Sequence, residues 1–208
     1  VHTDWWRRFQ AGEGFIDYAL RTDDLAIAVE RLRAAGLDVP DPRTGGRTRP
    51  DGQRVEWRNL EFGPGSSGSL PFYCHSTNDR SLRVPFGEAA VHSNGVTGVA
   101  GITIVVDDLE AAAHDYAGLT GMEGQDLIAN ARDTGRGRRF DIGSATGSAG
   151  TPARIHLDLV TAAIDDSNLG RVVAERGEVP VMVTLSGDGG VDRTIDPDLT
   201  HGAVVTIA

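Results

Sequence analysis

Between residues 154 and 159 polar and apolar side chains alternate: Arg154, His156 and Asp158 against Ile155, Leu157 and Leu159. Alternate residues of a β-strand share a face, so this spacing sets a guanidinium, an imidazole and a carboxylate side by side. Such a polar face suits an oxygen-rich small molecule, and arginine is suited to holding anionic oxygens. Residues 138–143 repeat the pattern, with Phe140 and Ile142 directed to a core and Arg139 and Asp141 on the polar face. Near the start of the chain the same rule puts Asp17 and Arg21 on the polar face, joined by Tyr73 and His75, with Phe72 and Cys74 on the core side. Between them, residues 55–62 leave two registers open, exposing either Glu56 and Arg58 or Trp57 and Asn59. Structural roles fit the same residues: a cross-strand ladder of ion pairs for Arg139, Asp141, Arg154 and Asp158, and a pair with Arg21 or Arg58 for Asp17. Of the remaining histidines, His92 reads as part of a linker turn, His114 as the exposed side of a helix, and His2 and His201 as loop residues.

The elements that position these side chains occur twice. Tyr18-Ala-Leu-Arg-Thr-Asp-Asp-Leu25 and Ile102-Thr-Ile-Val-Val-Asp-Asp-Leu109 each lead into a helical pattern that stops at a glycine, Gly36 and Gly121. The paired aspartates are read as helix caps, not as sites, because their carboxylates satisfy free amides of the first turn. Leu25, Ala28, Val29 and Leu32 form one helix face; Leu109, Ala112, Ala113 and Tyr116 form the other. Each helix is followed by strand patterns, giving a first strand–helix–three-strand unit over 13–80 and a second over 96–162. Residues 1–12 read as a connecting segment packed by Trp5, Trp6 and Phe9. The Gly/Ser stretches 63–69 and 143–150 read as hairpin loops. The remainder, 163–208, reads as an extension with a helix at 168–176 and a strand pair at 179–185 and 203–207. The fold class is therefore α+β.

Composition limits the partners. The net charge is −10 and all twenty basic residues are arginine, a balance opposed to a large nucleic-acid footprint. Such a composition fits either a salt-adapted cytosol or a GC-rich genome. No apolar run is long enough to span a membrane. Cys74 is the only cysteine, which excludes an intrachain disulfide and a Cys-x-x-Cys site and makes a cytoplasmic location the expectation. There is no Gly-x-Ser-x-Gly elbow, and a phosphate loop ending in lysine is excluded.

The order of Arg21-Thr-Asp-Asp-Leu25, Arg31-Leu-Arg-Ala-Ala-Gly-Leu37, Arg47-Thr-Arg-Pro-Asp-Gly52, Trp57-Arg58, Leu70-Pro-Phe72, Arg83-Val-Pro85 and His92-Ser-Asn-Gly-Val-Thr-Gly98 resembles the glyoxalase-like branch of the vicinal oxygen chelate superfamily. The resemblance covers about residues 14–121. It implies tandem βαβββ units whose curved mixed sheets form a cup, with the helices outside. It also implies a further unit upstream of Val1.

From the resemblance follow expectations about chemistry. Metal-dependent members use a first-strand ligand and a fourth-strand ligand. The corresponding positions are Asp17 and Gly101, then His75 and His156. Gly101 offers no donor, so the implied set is Asp17, His75 and His156, for Fe, Mn, Ni or Zn, or else no metal at all. Asp17, Arg21 and Asp158 are the implied catalytic groups, and Arg58, Tyr73, Arg139 and Arg154 the implied ligand-binding groups. The implied function is an enzyme of lyase, isomerase or dioxygenase type acting on a small oxygen-rich metabolite. The alternatives are a metal-free binding or sequestration protein, or a part of a larger enzyme. The expected partner is a small molecule, not nucleic acid or membrane, and a homodimer is allowed.

Overall fold

A computed structural model of the chain describes residues 3–62, 69–127, 134–146, 152–187 and 193–208. Residues 63–68 and 147–150 of the two Gly/Ser stretches lie outside the described residues, as do 128–132 of the strand expected at 125–132.

In chain order the elements are α1 (Thr3–Gln10), β1 (Ala19–Arg21), α2 (Leu25–Ala34), β2 (Arg43–Thr48), β3 (Arg54–Leu60), β4 (Phe72–Ser76), β5 (Val96–Val105), α3 (Leu109–Thr120), β6 (Gln125–Leu127), β7 (Thr134–Thr146), β8 (Pro152–Ala162), α4 (Asn168–Arg176), β9 (Val179–Gly187), β10 (Arg193–Thr194) and β11 (Val204–Ile207). The first sheet has the order β1-β4-β3-β2, with β1 parallel to β4. The second contains the same arrangement, β5-β8-β7-β6, with β5 parallel to β8. It continues on its other side through β9, β11 and β10. The aspartates act as read from the sequence: Asp24 accepts from the amides of Ala26 and Ile27, and Asp108 from those of Glu110 and Ala111. Gly121 ends α3 in the left-handed region at φ 72°, where a side chain would be strained.

Each helix covers one side of its sheet, and the two helices pack against each other. Leu25, Ala28, Val29 and Leu32 of α2 share a single core with Leu109, Ala112, Tyr116 and Leu119 of α3 and with Leu60, Tyr73, Ile104, Phe140, Leu157 and Leu159 from both sheets. Burying each large side chain there contributes about 1.5–3 kcal/mol. Close approach depends on Gly118, where a Cβ would stand 2.6 Å from Cβ of Ala35. The two units thus meet through their helical sides, and their open faces lie on opposite sides of the shared core. The extension to the open face of the second unit comes from β9–β11, antiparallel to β5. Strand β11 runs parallel to β9 and antiparallel to β10, the pairing that β4 makes with β1 and β3 and that β8 makes with β5 and β7. Among the described residues no helix is long and apolar enough to cross a membrane.

Three local expectations change. Residues 3–10 form a helix whose Trp6 and Phe9 are exposed and stack on each other at 6.0 Å between ring centroids, so this segment is not packed by those aromatics. Strand β2 was hidden by its Gly45-Gly46 pair. Its role is steric, because a Cβ on Gly45 would lie 2.5 Å from Nε1 of Trp57. The facing of β4 is reversed: Tyr73 pairs with Leu20 and Leu60 on the helix side, and His75 with Arg58 on that same side.

Candidate active site

On the second sheet, the alternation read from the sequence holds. Leu157, Leu159 and Phe140 enter the core, so His156 and Asp158 of β8 and Arg139 and Asp141 of β7 take the open face. Register joins them: Arg139 lies opposite Asp158, and Asp141 opposite His156. On the other flank of β8, Gly101 lies opposite His156, and Thr103 opposite Asp158. Strand β9 then adds Thr184 beside Gly101 and Met182 beside Thr103. Strand β11 adds Thr206, whose hydroxyl donates to that of Thr184 at 3.2 Å. Register shifts in the β5–β9 pairing fall between Val99 and Gly101 and between Thr103 and Ile104, so the floor of the site is bracketed by bulges, which redirect side chains.

The centre is a bidentate ion pair. Nε and Nη2 of Arg139 donate to Oδ1 and Oδ2 of Asp158, each at 2.7 Å. The Asp158 side chain is 7% exposed and that of Arg139 is 38% exposed, so the carboxylate fixes a guanidinium that still reaches solvent. Nε2 of His156 lies 3.6 Å from Oδ2 of Asp158, beyond a hydrogen bond but close enough to stabilise an imidazolium once formed. Burial pushes the imidazole pKa below its ordinary value, a trend opposed by Asp158 and Asp141 and reinforced by Arg139. The Arg139 guanidinium is held above its ordinary value, mainly by its bonds to Asp158. At neutral pH the site therefore presents a neutral imidazole beside a fixed positive charge. The absence of a side chain at Gly101 is what admits the ring: a Cβ there would lie 2.1 Å from Nε2 and 2.5 Å from Cε1 of His156.

The other sequence candidates, apart from Arg154, lie elsewhere. Arg154, exposed, shares the strand face of His156 and Asp158. The amide of Tyr18 donates to Oδ1 of Asp17 at 2.7 Å, just ahead of β1. Arg21 is on the open face of the first sheet, in a bidentate pair with the exposed Asp23. Tyr73 is buried on the helix side, its hydroxyl donating to the Leu119 carbonyl at 2.8 Å and accepting from Arg31 at 3.1 Å. This removes it from a ligand-facing position. Arg58 is exposed on the same side as His75. His75 is 3.1 Å through Nδ1 from the Thr22 carbonyl. The structure thus divides His75 and His156 between two sheets, and it does not assemble Asp17, His75 and His156.

The residues at the centre do not fit a divalent metal. Both oxygens of Asp158 are engaged by a guanidinium, Gly101 supplies no donor, and no three His, Cys, Asp or Glu side chains among the described residues are grouped for a cation. The positive charge of Arg139 beside the imidazole further opposes a cation there.

Sequence reasoning missed Thr184, Met182 and Thr206, because neither 179–187 nor 203–207 alternates cleanly. The hydroxyls of Thr184 and Thr206 were the available signal. It also missed Gly101 as a steric partner of His156, which only register reveals.

Comparison with known proteins agrees with this architecture. The sequence model of the glyoxalase-like domain family matches residues 2–120. No curated protein sequence matches the chain. A crystal structure of a hypothetical protein from Staphylococcus aureus superposes with a TM-score of 0.61 at 11% identity, covering 93% of this chain and 65% of that one. The chain thus spans just under two thirds of that protein's length. A Streptomyces coelicolor methylmalonyl-CoA epimerase in complex with 2-nitronate-propionyl-CoA superposes at 0.44 with 19% identity, over 54% of this chain and 96% of its own. The Mycobacterium tuberculosis methylmalonyl-CoA epimerase gives 0.45 with 14% identity, over 56% and 90%. With more than half of its length matched, the chain belongs to the glyoxalase-like domain family of the vicinal oxygen chelate superfamily.

Proposed function

We propose that the protein is an enzyme that moves a proton at a carbon next to a carbonyl or carboxylate of a small oxygen-rich metabolite, bound on the open face of the second sheet. The observation that carries this reading is the neutral imidazole of His156 seated against Gly101 beside the Arg139–Asp158 pair. In this reading Arg139 holds the anionic oxygen of the substrate and stabilises the negative charge that develops on proton removal. His156 accepts the proton. Asp158 orients Arg139 and favours the imidazolium. Arg154 and the hydroxyls of Thr103 and Thr184 supply further polar contacts. The donor set supports a route through these side chains rather than through a bound metal.

The test is deuterium incorporation at the α-carbon of small 2-oxo acids and acyl thioesters in heavy water with a chelator present, followed by proton NMR. Incorporation by the wild type, and a rate at least about 100-fold lower for His156→Gln, is the expected result. Equal rates for the two proteins would reject the assignment of His156. Stabilisation by these compounds without exchange would favour the second reading, a binding protein, for which the closed Arg139–Asp158 pair is the supporting observation.

A further inference from the structure

We propose that the open face of the first sheet carries a second and separate binding site, for a compact dianionic oxyanion, built from Arg80 and Arg83 with Arg21 at its edge. These residues come from different parts of the chain. Arg21 lies opposite Cys74 across β1 and β4. Asn59 lies opposite Cys74 across β3 and β4. A 3-10 turn at Arg80–Leu82 follows β4, and Arg83 just after it places Nη2 3.1 Å from Sγ of Cys74. The Arg83 guanidinium also lies over the ring of Trp57, 5.5 Å from its centroid, and that of Arg80 lies over Phe86 at 5.2 Å.

This arrangement differs from a solvated charged surface. A guanidinium lying over an aromatic ring has its face satisfied while its in-plane N–H groups stay free for an anion. Among the described residues neither Arg80 nor Arg83 is within ion-pair distance of a carboxylate, and the exposed Asp23 that pairs with Arg21 also attracts Arg80 from further away. Arg80 and Arg83 stand three residues apart on the 3-10 turn, a spacing at which side chains share a face, and Arg83 and Arg21 both flank Cys74, in a chain of net charge −10. The Arg80 pKa is lowered first by burial and then by Arg21 and Arg83, and is raised in turn by Asp23 and Cys74. On the same face, Oδ1 of Asn59 is buried with no hydrogen-bond partner. A compact dianion would neutralise the arginine pair and bridge its in-plane donors. A phosphate group and a short dicarboxylate share that chemistry. This site does not depend on the reaction assigned to His156, which lies across the shared core.

The experiment uses the full chain with inorganic phosphate and malonate as probes, by calorimetry and by the rate at which iodoacetamide labels Cys74, the only cysteine. An anion held by Arg83 covers the thiol. Saturable binding of either probe, with labelling slowed several-fold, is expected. Binding of phosphate alone identifies a phosphate group as the ligand chemistry, and binding of malonate alone identifies a dicarboxylate. Arg80→Gln and Arg83→Gln each weaken binding about tenfold, and His156→Gln leaves it unchanged. The proposal is overturned if neither probe binds saturably, if labelling of wild-type Cys74 is not slowed, or if both arginine variants bind as the wild type does.

Discussion

The imidazole of His156 lies directly against the backbone at Gly101, so closely that a Cβ there would stand 2.1 Å from Nε2. The glycine on the opening strand of the second unit is thus the floor on which the candidate base rests. Gly101→Ala must displace the ring into solvent. Lost packing costs about 1–3 kcal/mol, and release from burial raises the His156 pKa toward its ordinary value of 6.5. Denaturant unfolding and NMR titration of the imidazole check both effects. An unchanged pKa would show that the ring does not depend on this seat.

Asp158→Asn removes the carboxylate that fixes Arg139. Breaking a buried pair commonly costs 3–5 kcal/mol, but solvent reaches Arg139 and screens it, so a loss of about 1–3 kcal/mol is expected in urea unfolding. Asp158 also raises the His156 pKa against the effect of burial. The variant therefore titrates His156 at a lower pH than the wild type, and a rise would contradict the geometry.

The depressed pKa of His156 makes stability depend on pH. The fold favours the neutral ring, so the unfolded chain binds more protons as acidity increases. This contribution is complete above the ordinary value of 6.5 and is lost as pH falls toward the folded value. Urea midpoints at pH 7.5 and 5.5 should fall further for the wild type than for His156→Gln. Equal losses would mean that this imidazole is not buried in its neutral form.

Tyr73→Phe tests the reversed facing of β4. Its hydroxyl joins α2 and α3 through Arg31 and the Leu119 carbonyl. Removing it costs about 1–2 kcal/mol of stability, with ligand binding on either open face unchanged. A selective loss of binding would restore Tyr73 to the ligand-facing side.

The parts of the fold legible in the sequence were those set by local chemistry. Asp24 and Asp108 are caps because a carboxylate satisfies free amides wherever a strand turns into a helix. Their repetition marked two equivalent units. The strands carrying Arg139 and His156 alternate strictly, so their facing followed from period two. Strand β4 does not alternate in this way: Phe72, Tyr73 and Cys74 are all compatible with a core, and the phenol of Tyr73 conceals its need for a partner 46 residues away. The pairing of β5 with β9 was not legible either, since residues 179–187 carry apolar side chains on both faces. That pairing supplies Thr184 and Met182 and extends the open face of the second sheet.

The central claim, that this face is where the metabolite binds, is tested most directly by amide and imidazole NMR shifts during a titration with pyruvate. The account predicts that the largest changes cluster at Gly101, Arg139, His156, Asp158 and Thr184, and that they vanish in Arg139→Gln. Changes confined to the first sheet, or a response that survives in Arg139→Gln, would contradict it.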